Sequence, residues 1–204
     1  EFISSDGHYF ERFYFSSLKN PPSVDKYDAL WVMGGPMNVW EENRYPWLVK
    51  EKLFIKNWVL NLEKPFFGIC LGHQLLGEAL GALVVKSQTP EIGFKEISVN
   101  QKLPLKNLFR NFSEDMRVLQ GHSAEISNLS KKKVSVLASS DNCSIQALSY
   151  LNHAFSVQFH PEVIDDTIQN WITIPKIKED FHDALGSKGI EKIIKYQQKN
   201  RRSL

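Results

Sequence analysis

The sequence has little of what marks several large protein classes. It holds only two cysteines, Cys70 and Cys143, in 204 residues. That is too few for the disulfide framework of a small secreted domain and fits a reducing, cytoplasmic setting. No apolar run approaches the roughly 20 residues that cross a bilayer, and the start carries no signal-peptide pattern. A membrane partner is therefore not expected. The formal net charge is only +2, which gives no basic excess to hold nucleic acid. His8, His153 and His182 have no spacing with cysteines or carboxylates that would suggest zinc, so neither a metal nor a cofactor is expected. Internal repeats and low-complexity stretches are also missing. The length suits one domain with one core, residues 1–204.

What is present is an alternation of strand and helix signals. Tyr27-Asp28-Ala29-Leu30-Trp31-Val32-Met33 is a short apolar run that stops at Gly34-Gly35-Pro36. Such a run reads as a buried, parallel strand. Pro46 opens a helical pattern in which Trp47, Leu48, Phe54, Ile55, Trp58, Val59 and Leu62 share a face, and Pro65 breaks it. Residues 66–69 form a second buried strand, residues 71–80 a helix stopped by Gly81, and residues 82–85 a third strand. This order predicts an α/β fold: three layers, with an open, mostly parallel sheet flanked by helices. Further on, residues 94–99, 116–120, 134–138, 145–149 and 154–159 read as short strands in succession. After Pro161 the chain turns helical, with Ile190, Ile193, Ile194 and Gln197 on one face and a basic tail at 199–202. Phe10, Phe13, Tyr14 and Phe15 form an aromatic cluster expected in the core or sheet.

The segment with the clearest chemistry is Gly68-Ile69-Cys70-Leu71-Gly72, between a buried strand and a helix. A nucleophile there sits on a tight turn whose flanking glycines relieve crowding. Cys70 would lie at a helix N-terminus, where the dipole favours thiolate. The Leu71 amide would point outward, free to donate to an oxyanion. Without that context the same residue would read as an inert buried cysteine. A second feature is Gln158-Phe159-His160-Pro161-Glu162 at the end of a strand-like run. Residues two apart in extended chain share a face, so the Glu162 carboxylate could orient the His160 imidazole. Taken alone, a surface histidine beside a surface glutamate is the better reading. Together the two features make a nucleophile–base–orienter set in the order Cys, His, Glu. An α/β-hydrolase would place its acid before its histidine. A third feature, Gly34-Gly35-Pro36, allows backbone to approach a ligand closely or is simply a turn.

These residues resemble a known family. Pro65-Phe66-Phe67-Gly68-Ile69-Cys70-Leu71-Gly72-His73-Gln74 is similar to the nucleophile segment of class I (triad) glutamine amidotransferases. Gln158 to Glu162 resembles their His-Pro-Glu segment, and Val32-Met33-Gly34-Gly35-Pro36 their oxyanion loop. The resemblance spans roughly residues 27–163 and is nearest to stand-alone, GMP-synthase-like members. It implies a flavodoxin-like sheet and hydrolysis of the glutamine side-chain amide to glutamate and ammonia. By that resemblance Cys70 attacks the carboxamide, His160 moves the proton and Glu162 orients His160. The backbone at Gly34 and Gly35, with the Leu71 amide, receives the oxyanion, and Gln74 helps bind substrate. A separate ammonia-accepting synthetase is the implied partner, since about forty residues after the motifs are fewer than a typical acceptor domain. A γ-glutamyl peptide or conjugate is the alternative substrate. A catalytically silent regulatory domain is the third reading, although no triad member is lost. Two departures stand out. Ser123-Ala124 separate His122 from the acidic Glu125, where relatives carry an acidic residue sooner. The chain also starts at Glu1-Phe2-Ile3, which resembles the end of the family's first helix, so the family's first strand is expected to be absent from this sequence.

Overall fold

The computed structural model describes residues 7–102, 113, 115–129 and 132–199. Seven strands are found among them: β1 (Leu30–Val32), β2 (Phe66–Ile69), β3 (Leu83–Val99), β4 (Asp115–Ser127), β5 (Val134–Ser139), β6 (Ala147–Tyr150) and β7 (Ala154–Val157). The main helices are α1 (Trp47–Lys56), α2 (Leu71–Ala79), α3 (Thr167–Trp171) and α4 (Pro175–Lys199). All seven strands join one sheet in the order β1-β2-β7-β6-β5-β3-β4.

The expected α/β sheet with flanking helices is present, but it is mixed. Parallel pairing is confined to β1 with β2 and β2 with β7. The neighbours β7/β6, β6/β5, β5/β3 and β3/β4 are antiparallel. The reason lies in the connections. A parallel pair needs a crossover, which α1 supplies between β1 and β2, whereas the three-residue connection from β6 to β7 allows only antiparallel return. Leu151, at φ 53°, makes the turn between β6 and β7. The two short strands expected at 82–85 and 94–99 are one strand, β3, with a register shift between Lys86 and Glu91. Pro90 lies in that shift, where its missing N–H costs no ladder bond. The long partner β4 spans both halves and keeps them in one strand.

Alternation along the strands divides the core. Leu148 and Tyr150 of β6 pack into a cluster with Leu48, Ile55, Trp58, Val59, Leu75 and Leu76 from α1, the turn that follows it and α2. Ala147 faces the other way, with Ile97, Leu137, Val157 and Phe159. A third cluster joins Ile92, Phe94 and Leu119 to Ile168 and Phe181 of α3 and α4. α1 widens into a π turn over Asn57–Asn61, where Leu62 N–H reaches back to Asn57 O at 3.0 Å. α2 ends at Gly81, whose φ of 85° suits glycine. α4 breaks its helical path at Gly186.

The N-terminal aromatics divide between core and surface. Phe15 packs on Phe54 with ring centroids 5.6 Å apart and Phe13 packs edge-on against Tyr27, but Phe10 and Tyr14 are 45% and 61% exposed. Residues 7–29 contain no strand, and residues 1–6, on which the expectation about the first strand partly falls, lie outside the described residues. The basic tail lies outside them beyond Lys199.

Candidate active site

β1, β2 and β7 are adjacent and run the same way, so their carboxyl ends meet at one edge of the sheet. Each delivers one predicted element there: Gly34-Gly35 follows β1, Cys70 follows β2 and His160 follows β7. This is where open α/β sheets place their sites.

Cys70 sits between β2 and α2 with φ 52° and ψ −104°, a conformation that L residues rarely adopt. Its N–H donates to Val157 O at 2.9 Å, which ties the turn to β7. Its carbonyl accepts from His73 N–H at 3.0 Å and Gln74 N–H at 3.1 Å, closing the first turn of α2. The flanking glycines are a steric requirement. A Cβ on Gly68 would lie 2.6 Å from Gly72 O, and one on Gly72 would lie 2.2 Å from Val32 O. Leu71 opens the helix, where amides have no intrahelical acceptor.

His160 is fixed from four sides. Its backbone N–H donates to Leu119 O at 2.9 Å. Its Nδ1 is 2.6 Å from Glu162 Oε1. The Trp171 ring meets the imidazole edge-on, with centroids 4.3 Å apart. Gly34 closes the remaining side: a Cβ there would be 3.1 Å from His160 Cε1 and 3.4 Å from Cys70 Cβ. Burial opposes a charged imidazole, but the neighbouring Cys70 and Glu162 outweigh it, raising His160 to about 10. These neighbours favour the protonated imidazole, which faces the sulfur.

Around this pair lies a cavity of about 330 Å³. Met33, Gly34 and Gly35 line one side, His122, Ser123 and Ala124 another, and Trp171, Ile174, Ile177 and Phe181 form an apolar wall. Gln74 also lines it, yet both its N–H groups are engaged internally, with Ala124 O at 3.1 Å and Gln158 Oε1 at 3.2 Å. It can offer a ligand only its carbonyl oxygen. Gln158 donates in turn to Cys70 Sγ at 3.7 Å. Neither Gln158 nor Trp171 was among the residues expected from sequence. The period-2 argument that pairs His160 with Glu162 extends to Gln158, which is on the same face two residues earlier. Trp171 had no local signal, because α3 meets the site only through the fold.

His73 points away from the cleft. It is wholly buried, between Ser156 Oγ at 2.8 Å and Ile145 O at 3.0 Å, and desolvation lowers it to about 3. Cys143 is buried, with Sγ near Ile145 O at 3.6 Å, and burial pushes its thiol up to about 12. Among the described residues, Glu91, His122 and Cys143 form a group whose ligand atoms lie within 4.8 Å of one another. The chain's own donors already serve this carboxylate. Ser140 Oγ donates to both Glu91 oxygens at 2.9 and 3.0 Å, and Gln146 Nε2 to Oε2 at 2.6 Å. His122 Nε2 approaches Oε2 at 3.2 Å without an aligned hydrogen bond, while its Nδ1 is 3.0 Å from Ala124 O. The group ties β3, β4 and the loop before β6 together behind the cavity. Glu125 interacts with Cys143 rather than lining the cavity, which Ser123 and Ala124 reach instead.

The model of the class-I glutamine amidotransferase family matches residues 8–173. The chain belongs to this family. Its relatives include one subunit of the glutamine-hydrolyzing GMP synthase of Saccharolobus solfataricus, 36% identical over 141 residues, covering 69% of this chain and 70% of that protein. The putative glutamine amidotransferase-like protein YfeJ of Salmonella typhimurium is 31% identical over 188 residues, covering 88% and 77%. Among solved structures, a glutamine amidotransferase from Thermotoga maritima superposes with a TM-score of 0.80 at 27% identity, over 98% of this chain and 84% of that one. The amidotransferase is an enzyme on the expected fold. No helix among its described residues is long and apolar enough to cross a membrane.

Proposed function

We propose that this amidotransferase hydrolyses the side-chain amide of glutamine at Cys70, with His160 and Glu162 completing the triad. The observation that carries the reading is the convergence of three side chains on one cavity at the carboxyl ends of parallel strands. Glu162 holds His160 Nδ1 at 2.6 Å, and His160 and Cys70 line the same cavity, close enough for a Cβ on Gly34 to touch both. Cys70 at the N-terminus of α2, with His160 facing it, supports a resting thiolate–imidazolium pair. His160 then acts first as an acid.

The thiolate attacks the carboxamide carbon, and the carbonyl π pair moves onto oxygen. The amides of Gly35 and Leu71, beside the Gly34 backbone, are the proposed donors to that oxyanion. The tetrahedral intermediate collapses, the nitrogen takes the His160 proton and ammonia leaves. Water, deprotonated by the now neutral His160, attacks the thioester. Its collapse releases glutamate and restores the thiolate and the imidazolium. Gln74 contributes an acceptor to substrate through its carbonyl oxygen. The chain would do this as one domain, passing ammonia to a separate synthetase, because relatives such as that of S. solfataricus are named as subunits of a glutamine-hydrolyzing synthase. Its working compartment is proposed to be the cytoplasm.

The apolar wall of Trp171, Ile174, Ile177 and Phe181 favours a second reading. Glutamine offers such a wall only two methylenes; its ammonium could meet Asp180 of the same lining, but the apolar residues complement neither that charge nor the carboxylate. A γ-glutamyl compound with an apolar substituent would use it. Ammonia and glutamate release from glutamine, measured with and without a synthetase partner and beside hydrolysis of a γ-glutamyl dipeptide, decides between them. Full glutaminase activity in Cys70→Ala would overturn the nucleophile assignment.

A further inference from the structure

We propose that Gln158 is a second hydrogen-bond donor to the Cys70 sulfur, aimed by Gln74 as its positioning residue. The inference rests on the reading of Cys70 as the nucleophile. Gln158 is completely buried and its Nε2 lies 3.7 Å from Cys70 Sγ. Its orientation is determined by its other end. Gln158 Oε1 accepts from Gln74 Nε2 at 3.2 Å, so the carbonyl is turned towards Gln74 and the NH₂ towards sulfur. Gln74 is held in turn by Ala124 O on β4 and by its place on α2, immediately behind the nucleophile. The Gln158 backbone is tied to β6 through Gln146 O at 2.8 Å. Two side chains from different elements thus form a chain of amides ending on the reacting atom.

A thiol sulfur is a weak acceptor and a thiolate a strong one. The Gln158 N–H therefore stabilises Cys70 more when it is ionised than when it is protonated or acylated. That bias acts twice in the cycle. It favours the resting thiolate, and it favours expulsion of sulfur when the second tetrahedral intermediate collapses. His160 gains its proton from the attacking water and then faces the leaving sulfur as an imidazolium; Gln158 adds a donor from another direction. Gln158 holds no mobile proton and donates throughout.

The test is the pH dependence of Cys70 alkylation by iodoacetamide, followed by mass spectrometry of the Cys70 peptide, which separates it from Cys143. In Gln158→Met the rise of the profile should move upward by about one pH unit, roughly ten-fold slower labelling on the rising limb, with no lower plateau. Gln158→Glu, which turns a carboxylate towards sulfur, should move it further. Gln74→Met should move it the same way by less, since Gln158 then loses its anchor. In Gln158→Met glutamine turnover should lose kcat more than it raises KM. A profile with its midpoint unchanged and only its plateau lowered, in Gln158→Met and Gln74→Met alike, would mean that the amides merely pack, and would overturn the proposal. Circular dichroism confirms folding of each variant, and Gln74→Met probes the chain of amides from α2 should Gln158→Met not fold. Because alkylation needs no glutamine, failure here is distinct from failure of the glutaminase reading.

Discussion

A methyl group on Gly72 would stand 2.2 Å from the carbonyl oxygen of Val32, closer than any real contact of that kind. This approach of α2 to the end of β1 is what brings Cys70 beside Gly34. The elbow is therefore a three-element junction, in which Gly68 and Gly72 let β1, β2 and α2 converge. Its cost is carried at Cys70, which holds a positive φ that in similar settings stores about 1–3 kcal/mol.

Gly72→Ala should destabilise the fold by about 3 kcal/mol or more, because the obstacle is backbone and cannot rotate away. Gly81→Ala should cost less, since a Cβ there meets nothing within 4 Å and only the positive φ opposes it. Urea denaturation of the two variants checks the order. Equal losses would mean that the junction yields more readily than its geometry implies.

Cys70→Ser should keep the fold and lose glutaminase activity by about 10⁴-fold or more, the scale on which triads fail when the nucleophile is removed. Serine fits the same space, and a hydroxyl is not ionised by His160. Steady-state ammonia release alongside a thermal melt separates loss of chemistry from loss of structure.

Glu162→Gln should lower kcat by about 10²-fold or more with little change in KM, because an amide cannot stabilise an imidazolium as the Glu162 carboxylate, 2.6 Å from Nδ1, can. The same change should lower the pH at which His160 loses its proton, which the NMR titration of the imidazole reads directly.

Acid should unfold the protein partly through His73. Desolvation lowers its folded value to about 3, against about 6.5 in an unfolded chain. A depressed value contributes stability that is fully present above the unfolded value and is lost as pH falls towards the folded one. The window is therefore about pH 6.5 down to 3, with a slope of at most about 1.4 kcal/mol per pH unit. His73→Gln should flatten the urea stability profile in that window. An unchanged slope would place the acid lability elsewhere.

The sequence alone determined the local chemistry of this protein. Gly68 and Gly72 around Cys70, the alternation of His160 with Glu162, and the glycines after the Trp31 strand each carry a backbone or side-chain constraint that acts over a few residues. The elements bearing them were legible for the same reason: short apolar runs bounded by glycine and proline have few alternative conformations. The tertiary structure decided what lies across the fold from those segments. It merged the two expected strands flanking Pro90 into β3, because β4 pairs with both halves. It limited parallel pairing to the three strands that hold the site, because only they have crossover connections to sustain it. It placed Trp171 on His160, sent His73 into the core towards Ser156, and turned both Gln74 N–H groups to Ala124 and Gln158. Those contacts join residues far apart in the chain. No periodicity or spacing encodes them, since they exist only once packing has brought the elements together.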